Sequence, residues 1–256
     1  AIIITPSADR DLAVADLVNS AFGHAGQKCS AASLGILVGS MYDSQRFLSQ
    51  LVDATESLIV DSPLNLSATI GPLTGAPSDK LQRGLTRLEV GEEWLIKPKL
   101  LAAAPGIPTG DISPGEKRVG AGGTSSDSDQ RAPGMPGPLW RPGIRTGVQP
   151  GSFFHMTECF GPVLGLMHAR DLDEAIRLQN AVEYGLTAGI HSLDPREVDE
   201  WLGRVQAGNL YVNRGITGAI VRRQSFGGWK KSSVGLGSKA GGPNYVHMMG
   251  TLSLIH

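Results

Sequence analysis

Residues 1–38 read AIIITPSADRDLAVADLVNSAFGHAGQKCSAASLGILV, and this stretch decides the fold. It opens on a β-branched run, Ile2-Ile3-Ile4-Thr5, stopped by Pro6, and then sets Val14, Leu17, Val18, Ala21 and Phe22 at helical spacing. Ser7 or Asp9 is placed to cap that helix, and Gly23 and Gly26 end it. The apolar run from Leu34 to Val38 reads as the next strand. Strand, helix and strand in this order form a crossover unit, which joins parallel strands. Cys29 falls on the connection between the helix and the second strand.

The alternation continues outward. From Asp43 an amphipathic helix carries Phe47, Leu48, Leu51 and Val52, Leu58-Ile59-Val60 is strand-like, and a third helix spans 78–88. Helical patterns over 173–181 and 195–205 alternate with apolar runs at 163–167, 186–190 and 210–212. The fold class is therefore α/β, a mostly parallel sheet flanked by helices. Residues 102–138 break the rhythm, with 8 Gly, 6 Pro and no aromatic residue. That composition predicts a disordered insertion. It divides the chain into 1–101, the insertion 102–138, a second part of the same domain at 139–240, and a tail at 241–256. No internal repeat is visible.

With 256 residues the chain makes one large domain or two modest ones. Lys and Arg total 23 against 24 Asp and Glu, a net charge of −1, so no global field draws it to nucleic acid or an anionic membrane. No apolar run reaches the roughly 18 residues of a membrane span, and no basic stretch leads into a signal-like segment. A soluble, cytoplasmic protein is the expectation. Two cysteines cannot build a disulfide framework or a four-cysteine zinc site. The six histidines show no metal-binding spacing, so no metal is assigned.

Cys29 is set among small and polar residues, Ala25, Gly26, Gln27, Ser30 and Ala31, with the cation of Lys28 beside it. A cysteine nucleophile needs access and backbone donors for the oxyanion formed on attack, and a glycine-bearing turn supplies both. The plainer reading is a small buried side chain. Cys159, just before an apolar strand, reads as packing. Its neighbour Glu158 is either a solvated loop acid or a holder of a hydroxylated ligand such as ribose. The segment from Phe226 to Ser233, FGGWKKSS, lacks both glycine-rich phosphate motifs. Thr217-Gly218-Ala219 is an ordinary turn or a nest of free N–H groups for a carboxylate.

Four segments in order, Gly26-Gln27-Lys28-Cys29-Ser30-Ala31, Glu158-Cys159-Phe160-Gly161-Pro162, Gly208-Asn209-Leu210-Tyr211-Val212-Asn213 and Phe226-Gly227-Gly228, resemble the aldehyde dehydrogenase superfamily. The wording of Thr217-Gly218-Ala219, Gln224-Ser225-Phe226-Gly227-Gly228-Trp229-Lys230 and Gly241-Gly242-Pro243-Asn244-Tyr245 is similar to its L-glutamate γ-semialdehyde dehydrogenases. In many bacteria these form the C-terminal half of a bifunctional proline utilization protein. The resemblance covers nearly the whole chain outside 102–138.

It implies Cys29 as nucleophile, NAD as cofactor and hydride acceptor, and a small-molecule aldehyde as substrate. Glu158 then holds the nicotinamide ribose with Phe160 packed close by. Ser30, Gly218 and Ala219 hold the substrate α-carboxylate, and Phe226 walls its aliphatic part. It also implies that the activating glutamate motif and an N-terminal Rossmann-like cofactor domain precede Ala1. This chain is therefore expected to be a catalytic-domain fragment without turnover of its own, with apolar surface exposed where other parts pack. The parent is expected to be a homo-oligomer, with fusion to a proline dehydrogenase domain as a further possibility. The ending Thr251-Leu252-Ser253-Leu254-Ile255-His256 departs from the family's tail. Two alternatives stay open: a dehydrogenase segment for another semialdehyde, and a non-catalytic remnant acting as a partner domain.

Overall fold

Ile2, Ile3 and Ile4 form strand β1 (Ile2–Ile4) and are fully buried, as befits a central parallel strand covered on both faces. The structure, a computed structural model, describes residues 1–102, 137–220 and 226–233. Helix α1 (Arg10–Phe22) follows; of the two candidates for its cap, Asp9 accepts the Leu12 N–H. Its apolar face, Val14, Leu17, Val18 and Phe22, is buried. Strand β2 (Leu34–Val38) is buried throughout. Helices α2 (Gln45–Glu56) and α3 (Asp79–Thr86) are capped by Ser44 and Ser78.

Four short strands come next, β3 (Glu93–Ile96), β4 (Lys99–Ala102), β5 (Leu139–Arg141) and β6 (Gly143–Thr146). A single turn of helix α4 (Phe153–Met156) leads to β7 (Val163–Ala169) and α5 (Leu172–Asn180). The chain closes with β8 (Tyr184–Gly185), β9 (Thr187–His191), α6 (Pro195–Arg204), β10 (Asn209–Val212) and β11 (Trp229–Lys230). Seven strands make the main sheet, in the order β10-β9-β1-β2-β7-β6-β3. Every pair in it is parallel except β3 with β6. Two antiparallel pairs, β4 with β5 and β8 with β11, lie outside it.

The parallel core matches the sequence reading closely. One expectation needs correction: Leu58-Ile59-Val60 is not a strand and contributes an isolated bridge from Val60 to Ile70. The reading of 102–138 as a disordered insertion falls on 103–136, outside the described residues, as does the tail at 241–256. The chain returns at Gly137 and Pro138, where the Pro138 carbonyl accepts the Leu73 N–H at 3.0 Å. Apolar side chains stand exposed on the β10 edge (Leu210) and on the β8–β11 pair (Tyr184, Trp229). Among the described residues, no helix is long and apolar enough to cross a membrane.

At the carboxyl edge of the sheet the polar side chains are consumed by one another. Ser7 and Ser192 donate to Glu197 at 2.8 and 2.5 Å, while the Asn213 amide brackets the Ser192 backbone at 2.9 and 2.8 Å. Satisfied groups of this kind lock β1, β9, β10 and α6 together. His191 differs. It is fully buried; among the described residues neither ring nitrogen has a hydrogen-bond partner, and Asp16 Oδ2, also without one, lies 3.5 Å from Nε2.

Burial holds the pKa of His191 below its ordinary 6.5, with Asp16 and Asp9 pulling the other way. The folded chain therefore binds this proton less readily than the unfolded chain, which takes it up as the pH falls below about 6.5. The unfolded state then binds the extra proton, so stability declines as the pH falls and recovers as it rises. His191→Leu should flatten the acid limb of the melting temperature measured from pH 7 to pH 5. An unchanged slope would assign that limb to other groups.

Candidate active site

Of the residues singled out in the sequence, Cys29, Ser30, Glu158 and Phe160 lie at the opposite edge of the sheet, on the loops that enter the parallel strands β2 and β7. In open α/β sheets ligands usually bind off the carboxyl ends, so this is a departure from the common pattern. After α1 the chain reverses through three successive left-handed residues, His24 (φ 54°), Ala25 (φ 55°) and Gly26 (φ 68°). Such conformations are costly for residues with a side chain and concentrate at functional sites. At Gly26 a Cβ would fall inside the van der Waals shell of the Gly161 carbonyl, so only glycine lets the two loops touch.

Cys29 occupies a corner of the turn closed by Ala31 N–H to Lys28 O at 3.0 Å. Its side chain is exposed, and its own amide N–H has no partner among the described residues. The turn is pinned from several sides. Ala32 N–H donates to Ser20 O on α1 at 2.9 Å, and Thr187 Oγ1 donates to Ser30 O at 3.4 Å. Gln27 accepts from Thr74 N–H at 2.8 Å and donates to Phe160 O at 3.4 Å. That last bond ties the Cys29 turn to the loop entering β7.

This second loop carries Glu158 and Phe160. Phe160 is left-handed (φ 62°) and 36% exposed. Glu158 stands exposed, yet the surrounding protein partly desolvates its carboxyl and pushes its pKa up, while Lys80 pulls it back. Cys159 points inward. It is 3% exposed, the missing side chain of Gly84 on α3 leaves room for its Sγ, and burial pushes its thiol up to about 11. The two cysteines thus differ, one accessible and one packed.

Cys29, Glu158, Phe160 and Phe226 line one cleft of about 380 Å³, together with Ala31, Ser33, Thr157, Tyr184, Leu186, Thr187 and Lys231. Ser30, Gly218 and Ala219 are not among its lining residues. Ser30 is buried behind Cys29. Gly218 is exposed and left-handed (φ 83°) with open space where a Cβ would project, leaving its backbone approachable.

Of the lining residues that the sequence reading did not single out, three make specific polar contacts that place them. His155 also lines the cleft, but its Nε2 bonds Leu178 O at 3.0 Å and its Nδ1 accepts Gly151 N–H at 2.9 Å, so both nitrogens are engaged structurally. Lys231 pairs with Glu183 at 2.6 Å. Thr187 supports the Cys29 turn as described. Their placements depend mainly on partners distant in sequence, Leu178, Glu183 and Ser30.

A mostly parallel α/β sheet with an accessible cysteine on a strand-entry turn, facing a carboxylate and aromatic rings, is the class these features define. The chain belongs to the aldehyde dehydrogenase family, whose model matches residues 1–92 and 116–253. The 1-pyrroline-5-carboxylate dehydrogenase of Geobacillus kaustophilus is 34% identical over 246 residues, 96% of this chain and 41% of that protein. Proline utilization A from Corynebacterium freiburgense superposes with a TM-score of 0.80 at 56% identity, covering 98% of this chain and 22% of its own. The 1-pyrroline-5-carboxylate dehydrogenase from Thermus with bound NAD superposes with a TM-score of 0.67 at 30% identity, covering 90% and 38%. The chain spans about two fifths of the length of the curated relatives it matches.

Proposed function

We propose that this chain is the thiol-bearing part of an NAD-dependent dehydrogenase that oxidises L-glutamate γ-semialdehyde to L-glutamate, a step of proline degradation. The observation that carries the reading is the convergence of exposed Cys29 with Glu158, Phe160 and Phe226 on a single cleft. The relatives named 1-pyrroline-5-carboxylate dehydrogenase and proline utilization A support the substrate.

The Cys29 sulfur adds to the aldehyde carbon, and the carbonyl π electrons move to the oxygen. The amide N–H of Cys29, without a partner among the described residues, is a donor available to that oxyanion. When bound, NAD supplies the acceptor for the hydride that leaves this carbon, and the oxidised carbon remains on sulfur as a thioester. Water then cleaves the C–S bond, giving the carboxylate and restoring the thiol. The residues at the cleft mouth suit the nicotinamide riboside end of such a cofactor. Glu158 offers an exposed carboxylate to ribose hydroxyls, and the partly exposed Phe160 offers its ring to the base. Phe226 flanks the aliphatic part of the substrate, and the approachable Gly218 backbone, beyond the cleft lining, is the candidate for its α-carboxylate, with Ala219 next to it and Ser30 buried beside Cys29.

The test uses the thiol as reporter. Iodoacetamide should alkylate Cys29 in the native chain, and L-glutamate γ-semialdehyde should protect it at concentrations at least tenfold lower than succinate semialdehyde does. Equal protection by the two would remove the amino-acid specificity. No protection by either would remove the aldehyde reading.

A further inference from the structure

Asn209, the first residue of β10, is 6% exposed, and its side-chain amide nitrogen donates two hydrogen bonds of 2.8 Å, one to Leu186 O and one to Gly227 O. A primary amide carries two N–H donors, and both are used here. The Leu186 carbonyl already receives the Asn209 backbone N–H at 3.0 Å. Strand pairing therefore does not require the side-chain bond.

The two acceptors belong to different segments of the cleft wall. Leu186 lines the cleft and precedes Thr187, whose hydroxyl holds Ser30 O beside Cys29. Gly227 follows Phe226, which lines the same cleft. The backbones also meet closely: a Cβ on Gly208 would overlap the Gly227 carbonyl, so glycine there lets the Phe226 segment close onto β10. A continuous set of contacts thus runs from the Cys29 turn through Thr187, Leu186 and Asn209 to Phe226.

Resting on the function proposed above, we infer that Asn209 is a positioning residue for the aldehyde. It fixes the Phe226 wall relative to the Cys29 turn and so sets how tightly the aliphatic part of the substrate is held, although it does not line the cleft. Both acceptors are backbone carbonyls, so replacing the donor releases the wall without altering the thiol. A side chain that merely stapled the strands would change stability and leave binding as it was.

The experiment titrates L-glutamate γ-semialdehyde as protectant against iodoacetamide alkylation of Cys29 in the full chain. In Asn209→Ala the half-protecting concentration should rise about tenfold, while the unprotected alkylation rate stays within twofold of wild type. Asn209→Ser, which keeps one donor, should fall between them and decides the matter if the alanine variant loses its cooperative melting transition. Phe226→Ala should raise the half-protecting concentration too, and adding Asn209→Ala to it should raise it less than twofold further, because coupled residues are not additive. An unchanged half-protecting concentration in the folded Asn209 variant, or a full tenfold effect in the Phe226→Ala background, overturns the inference alone. A wild-type chain that the aldehyde fails to protect overturns the proposed function and this inference with it.

Discussion

Replacing Glu92 with alanine should destabilise the fold by about 3–5 kcal/mol, a large share of the roughly 5–15 kcal/mol that holds a typical domain together. The side chains of Arg145 and Glu92 are 1% and 0% exposed, and they meet at 2.8 Å. The guanidinium is clamped further by Arg87 O at 3.0 Å and by the Gly84 carbonyl, and it stacks over the rings of Trp94 and Phe154 at 4.6 and 4.1 Å. Glu92 in turn accepts the Glu89 N–H at 2.9 Å. Removing the carboxylate leaves a cation that the surrounding aromatic groups cannot hydrate, and this desolvation, more than the lost attraction, makes up the cost. The double variant Glu92→Leu with Arg145→Met removes both charges at once and should be less destabilised than Glu92→Ala. Urea unfolding of the three chains measures this, and a Glu92→Ala chain within 1 kcal/mol of wild type would show that water reaches the pair.

That ion pair also marks where sequence reading stops. The parallel core was legible because its strands are short, nearly unbroken apolar runs, Ile2–Ile4, Leu34–Val38 and Val163–Ala169, and because Ser and Asp caps announce the helices between them. The antiparallel pair β3 with β6 gave no such signal. It carries Glu93 and Arg145, charged residues that a pattern assigns to solvent, and Arg145 is buried only because Glu92, 53 positions away, neutralises it.

The site divides in the same way. Cys29 and Glu158 could be singled out locally, Cys29 from its glycine-bearing turn and Glu158 from its place at a strand entry. Their convergence depends on Gly26 meeting Gly161 and on Gln27 reaching Phe160, contacts between loops more than 130 residues apart. Asn209 lay inside a quoted motif, yet its two acceptors come from elsewhere in the chain. Local spacing identifies candidates, whereas the pairing of loops decides which of them share a cleft.

Cys29→Ser should eliminate alkylation of the native chain and, in any form of this protein that produces NADH from an aldehyde, lower that rate by roughly 10⁴-fold or more. The two thiols differ sharply in access. Cys29 is exposed on its turn, whereas Cys159 is buried and its thiol is pushed up to about 11. At pH 8 only about a thousandth of such a thiol is thiolate, the reactive species, and burial denies even that fraction to the reagent. Native wild-type chain should therefore take up one alkyl group and the serine variant none, while both gain one more after unfolding in urea. Intact-mass measurement reads the count directly. A serine variant that is still alkylated without denaturant would place the reactive thiol at Cys159 and contradict its packing against Gly84. A serine hydroxyl is a far weaker nucleophile at neutral pH than a thiolate and gives no comparable route to the oxidised carbon. Retained NADH formation in the serine variant would therefore mean that the aldehyde is oxidised without covalent attachment, and the assignment of Cys29 would fall.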